Sequence, residues 1–118
     1  MVRKTEEQLV IENPHGGTGS IRINKLLTSE ETMGNVSLFA RVVVNPETTI
    51  GYHQHTGEAE AYYVLKGEGF FINSQKERLA IQAGDICTIK AGQSHGLENP
   101  SAHSMEIMAL VYPERKEA

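Results

Sequence analysis

Short runs of apolar and polar residues, each closed by a Gly, Pro or Asn signal, cover most of the chain. Alternation with a period of two places every second side chain on one face of a strand. Residues 20–24 (Ser-Ile-Arg-Ile-Asn) alternate in this way, and a longer run over 36–44 stops at Asn45-Pro46. Further runs cover 48–55, 60–66, 70–72, 79–81, 85–90, 95–98 and 104–112, punctuated by Gly67, Asn73-Ser74, Ala83-Gly84, Ala91-Gly92, Asn99-Pro100 and Pro113. Eight or nine short strands at close spacing predict an all-β sandwich or barrel. Two stretches have helical potential. Residues 4–10 are polar and short, and 27–33 carry Thr28-Ser29-Glu30-Glu31, an acidic cap-like start. No fixed-period repeat and no linker is visible. The expectation is one domain over 1–118 with its core at about 36–112. Residues 1–35 then add strands to the barrel or to a partner subunit. Leu9-Val10-Ile11 and residues 20–24 could extend a neighbour's sheet edge, which predicts a homodimer. The charged tail, 114–118, reads as frayed.

Composition narrows the function classes. The 118 residues are 39% apolar with a net charge of -4, and the basic residues are scattered apart from Arg3-Lys4. Nucleic-acid binding needs a concentrated cationic face, and none is visible. No apolar run approaches the roughly 18 residues of a membrane span. The first residues lack the apolar stretch of a signal peptide. One cysteine, Cys87, excludes an intrachain disulfide and suits a reducing cytoplasm.

Candidate chemistry concentrates in two segments, Gly51-Tyr-His-Gln-His-Thr-Gly-Glu-Ala-Glu60 and Gly92-Gln-Ser-His95. His53 and His55 are spaced i, i+2, so a strand puts both imidazoles on one face. Thr56-Gly57 reverses the chain, and Glu60 then opens the next strand near them. Gly92 turns the chain so that His95 enters from another strand. Three neutral imidazoles and a carboxylate suit one divalent transition metal per chain: manganese, iron, nickel, copper or zinc. A closed structural zinc site more often uses thiolates and a filled tetrahedron. Here two of six positions would stay open.

These segments resemble the two motifs of the cupin family. His53-x-His55-x4-Glu60-x6-Gly67 follows the first in order and spacing, with Glu47 where its opening Gly falls. Gly84-x5-Lys90-x-Gly92-x2-His95-x3-Asn99 follows the second, with Lys90 in place of Pro. Both departures fall on turn positions and neither on a ligand. The resemblance implies a double-stranded β-helix, the cupin jelly-roll barrel, with a metal held by His53, His55, Glu60 and His95. It also implies a small stand-alone metal-binding cupin, with dimeric and oxalate-decarboxylase-like relatives among its class.

If Glu60 points inward, Tyr62 and Val64 follow, and Tyr63 and Leu65 point out. Tyr62 is then the one catalytic candidate, with a hydroxyl beside the metal. Tyr52 and Gln54 alternate away from the ligands. Arg41 reads as an exposed strand residue; turned inward it would suit a carboxylate. Glu58 and Glu106 are the nearby carboxylates worth testing as acid or base. His103 reads as a solvated loop residue. His15 lies in a Gly-rich turn, not a phosphate loop, because no Lys-Ser/Thr follows. Cys87 reads as a packed small hydrophobe. The expected function is a metal-dependent enzyme acting on a small oxygen-rich or carboxylate compound, dioxygenase- or decarboxylase-like. The alternative is a non-catalytic metal-dependent binding or sensing module. Either way the partner is a small anionic or polar oxygen ligand, not nucleic acid or membrane.

Overall fold

Ten strands, paired antiparallel throughout, form two sheets in the computed structural model, which describes residues 1–115. They are β1 (Leu9–Glu12), β2 (Ser20–Lys25), β3 (Leu38–Val44), β4 (Thr48–Gln54), β5 (Glu58–Lys66), β6 (Glu68–Ile72), β7 (Arg78–Gln82), β8 (Ile86–Ile89), β9 (Ser94–Asn99) and β10 (Met105–Pro113). The six-stranded sheet runs β1-β2-β3-β10-β5-β8, and the four-stranded sheet runs β4-β9-β6-β7. The fold is a jelly-roll, a double-stranded β-helix, as the strand pattern and the motifs predict. No helix is long and apolar enough to cross a membrane among the described residues.

The alternating positions meet between the sheets. Ala40, Val42 and Val44 of β3, Val64 of β5, and Ile107 and Ala109 of β10 face Ile50, Phe71 and Leu97 of the smaller sheet in one core. Leu97, Met105, Ile107 and Val64 are fully buried, and each such side chain contributes about 1.5–3 kcal/mol. The β5 parity is as expected: Glu60, Tyr62 and Val64 are buried, while Tyr63 and Leu65 are exposed.

Neither helical stretch becomes an α-helix. At the end of 4–10 the apolar Leu9-Val10-Ile11 run, with two β-branched residues, pairs with β2 instead, and the preceding residues form no regular element. In 27–33 the cap does form. The Glu31 N–H donates to Thr28 Oγ1 at 3.1 Å, and the Thr28 N–H donates to Glu31 Oε1 at 2.9 Å. The turn then stops, because Met33 and Gly34 both take left-handed backbone (φ 57° and 74°). The only helix among the described residues is a single 3-10 turn, Pro14–Gly16. Of the tail, the Glu114 N–H is tied to the Gly57 carbonyl at 2.8 Å, and residues 116–118 lie outside the described residues.

The two departures from the motifs have physical accounts. Glu47 holds a left-handed φ of 55°, the conformation that glycine adopts at least cost. The turn geometry is kept and strain replaces the glycine. Lys90 uses the backbone N–H that proline lacks, donating it to Gln93 Oε1 at 3.0 Å.

Candidate metal centre

β4 carries His53, the residue just after it is His55, and β9 carries His95; a bulge aims them. Ile50 pairs with Leu97 and His53 pairs with His95, so β4 has one more residue than β9 in this interval. The extra residue resets the parity. Thr48 and Ile50 face the core before the bulge, and His53 and His55 face it after, leaving Tyr52 exposed. The turn at Gly57 (φ 72°) brings in β5 with Glu60. The end of β4 is tied to the loop before β9: the His55 N–H donates to the Gln93 carbonyl at 3.0 Å, and the Gly92 N–H donates to the His55 carbonyl at 2.7 Å.

The four side chains converge. One donor atom from each of His53, His55, Glu60 and His95 lies within 4.8 Å of the others. Glu60 Oε1 is 2.9 Å from both His55 Nε2 and His95 Nε2. The two Nε2 atoms are themselves 2.9 Å apart, and His53 Nε2 is 3.2 Å from His55 Nε2. His95 is fully buried and Glu60 nearly so.

The chemistry of this cluster fits a cation. His53 Nδ1 lies 2.6 Å from the Gly51 carbonyl oxygen, which can only accept. Nδ1 therefore carries the proton and Nε2 turns a lone pair inward. Glu60 Oε1 is buried and receives no hydrogen bond, although two ring nitrogens stand at hydrogen-bonding distance. The same two nitrogens also stand 2.9 Å from each other, so the three atoms crowd one space. Ligand–metal bonds of about 2.1 Å at right angles separate ligand atoms by about 3.0 Å. The observed 2.9–3.2 Å spacings match that figure. Left without a cation, four electron-rich atoms would face one another in a buried space, at a cost of several kcal/mol. These residues could hold a metal ion.

Burial, with the other imidazoles around it, lowers the His53 pKa to about 4. The Gly51 hydrogen bond opposes the shift without cancelling it. The ring is therefore neutral, as a ligand must be. His95 Nδ1 has no partner, and its ring is held by packing, 5.3 Å from Tyr62 and 5.6 Å from Phe71 between centroids. Burial pushes the Tyr62 hydroxyl well above its ordinary pKa, and the Glu60 carboxylate adds to the shift. Tyr62 therefore stays protonated near neutral pH.

A cavity of about 290 Å³ opens over the cluster, lined in part by His53, His55, Glu60, Tyr62, Glu58 and His15. Larger cavities lie elsewhere; one of about 760 Å³ is bounded by Arg22, Lys66, Glu68 and Glu106 and includes none of the four converging residues. Glu58 lines the smaller cavity as expected of a nearby carboxylate. Glu106 does not: it forms an ion pair with Arg41 on the adjacent strand, which also removes Arg41 from the cavity. His103 is an exposed loop residue. Cys87 is buried, and burial pushes its thiol up to about 11, which makes it inert packing.

His15 lies in the expected turn, within Pro14–Gly16, and also reaches His53. Its ring stacks on His53 with centroids 3.6 Å apart and planes 5° from parallel. The Gly-rich composition around it does signal a turn. The signal for its place is Gly17 and Gly51, where a Cβ would come 1.9 Å from the Thr49 carbonyl oxygen and 2.1 Å from the His15 carbonyl oxygen. Such glycines mark a close approach of two backbones.

Comparison with known proteins agrees with this fold. Residues 40–111 match the profile of the Cupin domain family. The oxalate-binding protein of Thermotoga maritima is 39% identical over 101 residues, covering 86% of this chain and 83% of that one. The crystal structure of a predicted oxalate decarboxylase from Thermotoga maritima superposes with a TM-score of 0.89 at 35% identity, covering 97% of this chain and 100% of that one. A Cupin 2 conserved barrel domain protein from Salinispora arenicola shares the fold at 22% identity, with a TM-score of 0.67 over 78% of this chain and 75% of that one. The chain belongs to the cupin family.

Proposed function

We propose that this cupin holds one divalent transition metal per chain through His53, His55, Glu60 and His95 and uses it to bind a small oxygen anion, a dicarboxylate of the oxalate class. One observation carries the reading. The four ligand atoms converge beneath a cavity of about 290 Å³, and the Glu60 oxygen among them is buried without a hydrogen bond. Manganese, iron, nickel, copper and zinc all accept this ligand set. Three neutral imidazoles, one carboxylate and a divalent ion leave the centre at net +1, which favours an anion. The cavity volume lies at the bottom of the range for small-molecule sites, which favours a small one. The relative from Thermotoga maritima that is called an oxalate-binding protein supports the same class.

The chain's own residues have separate parts in this site. Tyr62, protonated and beside Glu60, donates to an anion oxygen. The Gly51 carbonyl holds the His53 ring in its ligating tautomer. The apolar wall of Ile50, Val42, Ile107 and Ala109 limits water around the charge. A bound ion would supply Lewis-acid polarisation of a coordinated oxygen.

The second reading is turnover of such a compound, decarboxylase- or dioxygenase-like. Glu58 and His15 favour it, because both line the cavity and both can carry a proton outside the ligand set. Tyr62 is then the donor that touches substrate.

Calorimetry with oxalate on metal-loaded and metal-stripped protein tests the binding reading. Binding by the loaded form alone is expected, and Tyr62→Phe should weaken it by about 1.5–3 kcal/mol while leaving the metal in place. Identical binding by both forms would remove the metal as receptor. Oxygen uptake and carbon dioxide release with the same acid separate turnover from binding.

We read residues 1–118 as one cupin domain, at home in the cytoplasm and working as a homodimer. β1 is the open edge of the larger sheet, and its Leu9, Val10 and Ile11 are 47%, 63% and 41% exposed. A second copy would cover them. Light scattering should give about twice the 13.0 kDa chain mass, and a monomer at all concentrations would refute the dimer.

A further inference from the structure

We infer that His15 is a positioning and specificity residue of the anion site: it backs the His53 imidazole and offers a ring N–H to an oxygen of a bound dicarboxylate. The inference rests on the anion-binding reading above.

Three observations support it. His15 lies flat on His53, 3.6 Å between centroids and 5° from parallel, so it covers one face of a candidate ligand ring. It also lines the cavity that His53, His55, Glu58, Glu60 and Tyr62 line. Among the described residues, no protein group hydrogen-bonds to its ring, so its nitrogens are free for a ligand.

The loop that carries His15 is built to keep it there. Gly17 and Gly51 let the loop backbone press against β4, where no side chain would fit. The Thr18 N–H donates to Thr49 Oγ1 at 2.9 Å, and the Asn13 N–H donates to the Gly19 carbonyl at 2.9 Å, closing the loop on both sides. Asn13 and His15 both hold left-handed backbone, at φ 50° and 51°. Strain of this kind persists where the surroundings over-determine it, and it concentrates at ligand clamps.

The chemistry of the wall then sets the selectivity. Tyr62, His15 and Ser37 are the donors in the cavity wall outside the ligand set, and of these His15 lies on a ligand ring. A dicarboxylate has oxygens left over after one carboxylate meets the metal, and these reach His15. A monocarboxylate has none to spare, so it gains less.

The test compares His15→Phe, His15→Gln and His15→Ala with the wild type. Phe keeps a flat ring on His53 without an N–H; Gln keeps an N–H donor without the ring; Ala keeps neither. Metal affinity is read by competition with a chromophoric chelator, and oxalate and acetate affinities by calorimetry on metal-loaded protein. Circular dichroism checks that each variant is folded. His15→Phe is expected to hold metal within about two-fold of wild type and to weaken oxalate at least about ten-fold, with acetate changed far less. His15→Gln should recover part of the oxalate affinity. Unchanged oxalate affinity in His15→Phe, or an equal loss for acetate, would overturn the inference and leave the anion-binding reading standing. Failure of the wild type to bind oxalate in a metal-dependent way would overturn both. The wild-type arm therefore tells the two failures apart.

Discussion

Asn99 is the residue whose removal should most disturb the scaffold of the site. It is fully buried at the end of β9. Its Nδ2 donates to the carbonyls of Val44, Asn45 and His103 at 3.1, 3.1 and 2.8 Å. Its Oδ1 accepts from the Ser101 N–H and Oγ at 3.2 and 2.9 Å. It pairs with Thr48 in the same β4–β9 ladder in which His53 pairs with His95. Asn99→Ala removes two N–H donors that are shared among three carbonyls, each hydrogen bond worth about 1 kcal/mol net, together with the acceptor of the Ser101 bonds. The carbonyls left without donors raise the loss to about 3–5 kcal/mol, a large part of the roughly 5–15 kcal/mol of a typical domain. Asn99→Asp has the same shape but replaces the donor with an acceptor facing three carbonyls. It should be worse than Ala at pH 7. Its carboxyl is stabilised in the protonated form by the fold, so its folded pKa lies above the unfolded value of about 3.9. Its penalty should therefore shrink as pH falls from 7 to 5, while that of Ala stays flat. Urea denaturation followed by circular dichroism measures both variants at each pH. A loss under about 1 kcal/mol for Asn99→Ala, or parallel Asp and Ala penalties across this range, would refute the donor-hub reasoning.

Two further outcomes follow from the backbone and the titrating groups. Metal-free protein should lose stability on acidification, because the folded pKa of His53 is lowered to about 4 from an ordinary value of 6.5. Unfolding then takes up a proton, so the contribution of neutral His53 is fully present above about pH 6.5 and is lost as pH falls toward about 4. Urea midpoints at pH 7.5, 5.5 and 4 should decline, and a flat profile would contradict the buried neutral ring. Glu47→Gly should raise stability by about 0.5–1 kcal/mol by relieving the left-handed turn, less the entropy that glycine loses on folding. A thermal midpoint at or below that of wild type would show that Glu47 is not strained.

Much of the barrel was legible because its strands obey a simple period. Glu60, Tyr62 and Val64 point in and Tyr63 and Leu65 point out, as alternation requires once one of them is placed. The spacing from His53 to Glu60, and from Gly84 to Asn99, gathers residues that the fold does bring together. The bulge in β4 was not legible. Straight alternation from Ile50 would send Tyr52 and Gln54 inward, and only pairing with β9 shows where the extra residue sits. The place of His15 was hidden for a similar reason. Its loop meets β4 through Gly17 and Gly51, and a one-dimensional pattern does not tell which backbones touch. The cap at Thr28 and Glu31 forms as read, yet no helix follows, because Met33 and Gly34 turn the chain and no apolar stripe rewards continuing. Arg41 was settled by its neighbour: Glu106 takes it on the outer face of the sheet.

The central claim is that His53, His55, Glu60 and His95 form one metal site. Elemental analysis after equilibrium dialysis against a divalent transition metal tests it most directly, on wild type and on the His55→Ala, His95→Ala double variant, with circular dichroism to show that both are folded. The account predicts one ion per chain in the wild type and almost none in the folded variant. Equal metal in both would contradict it.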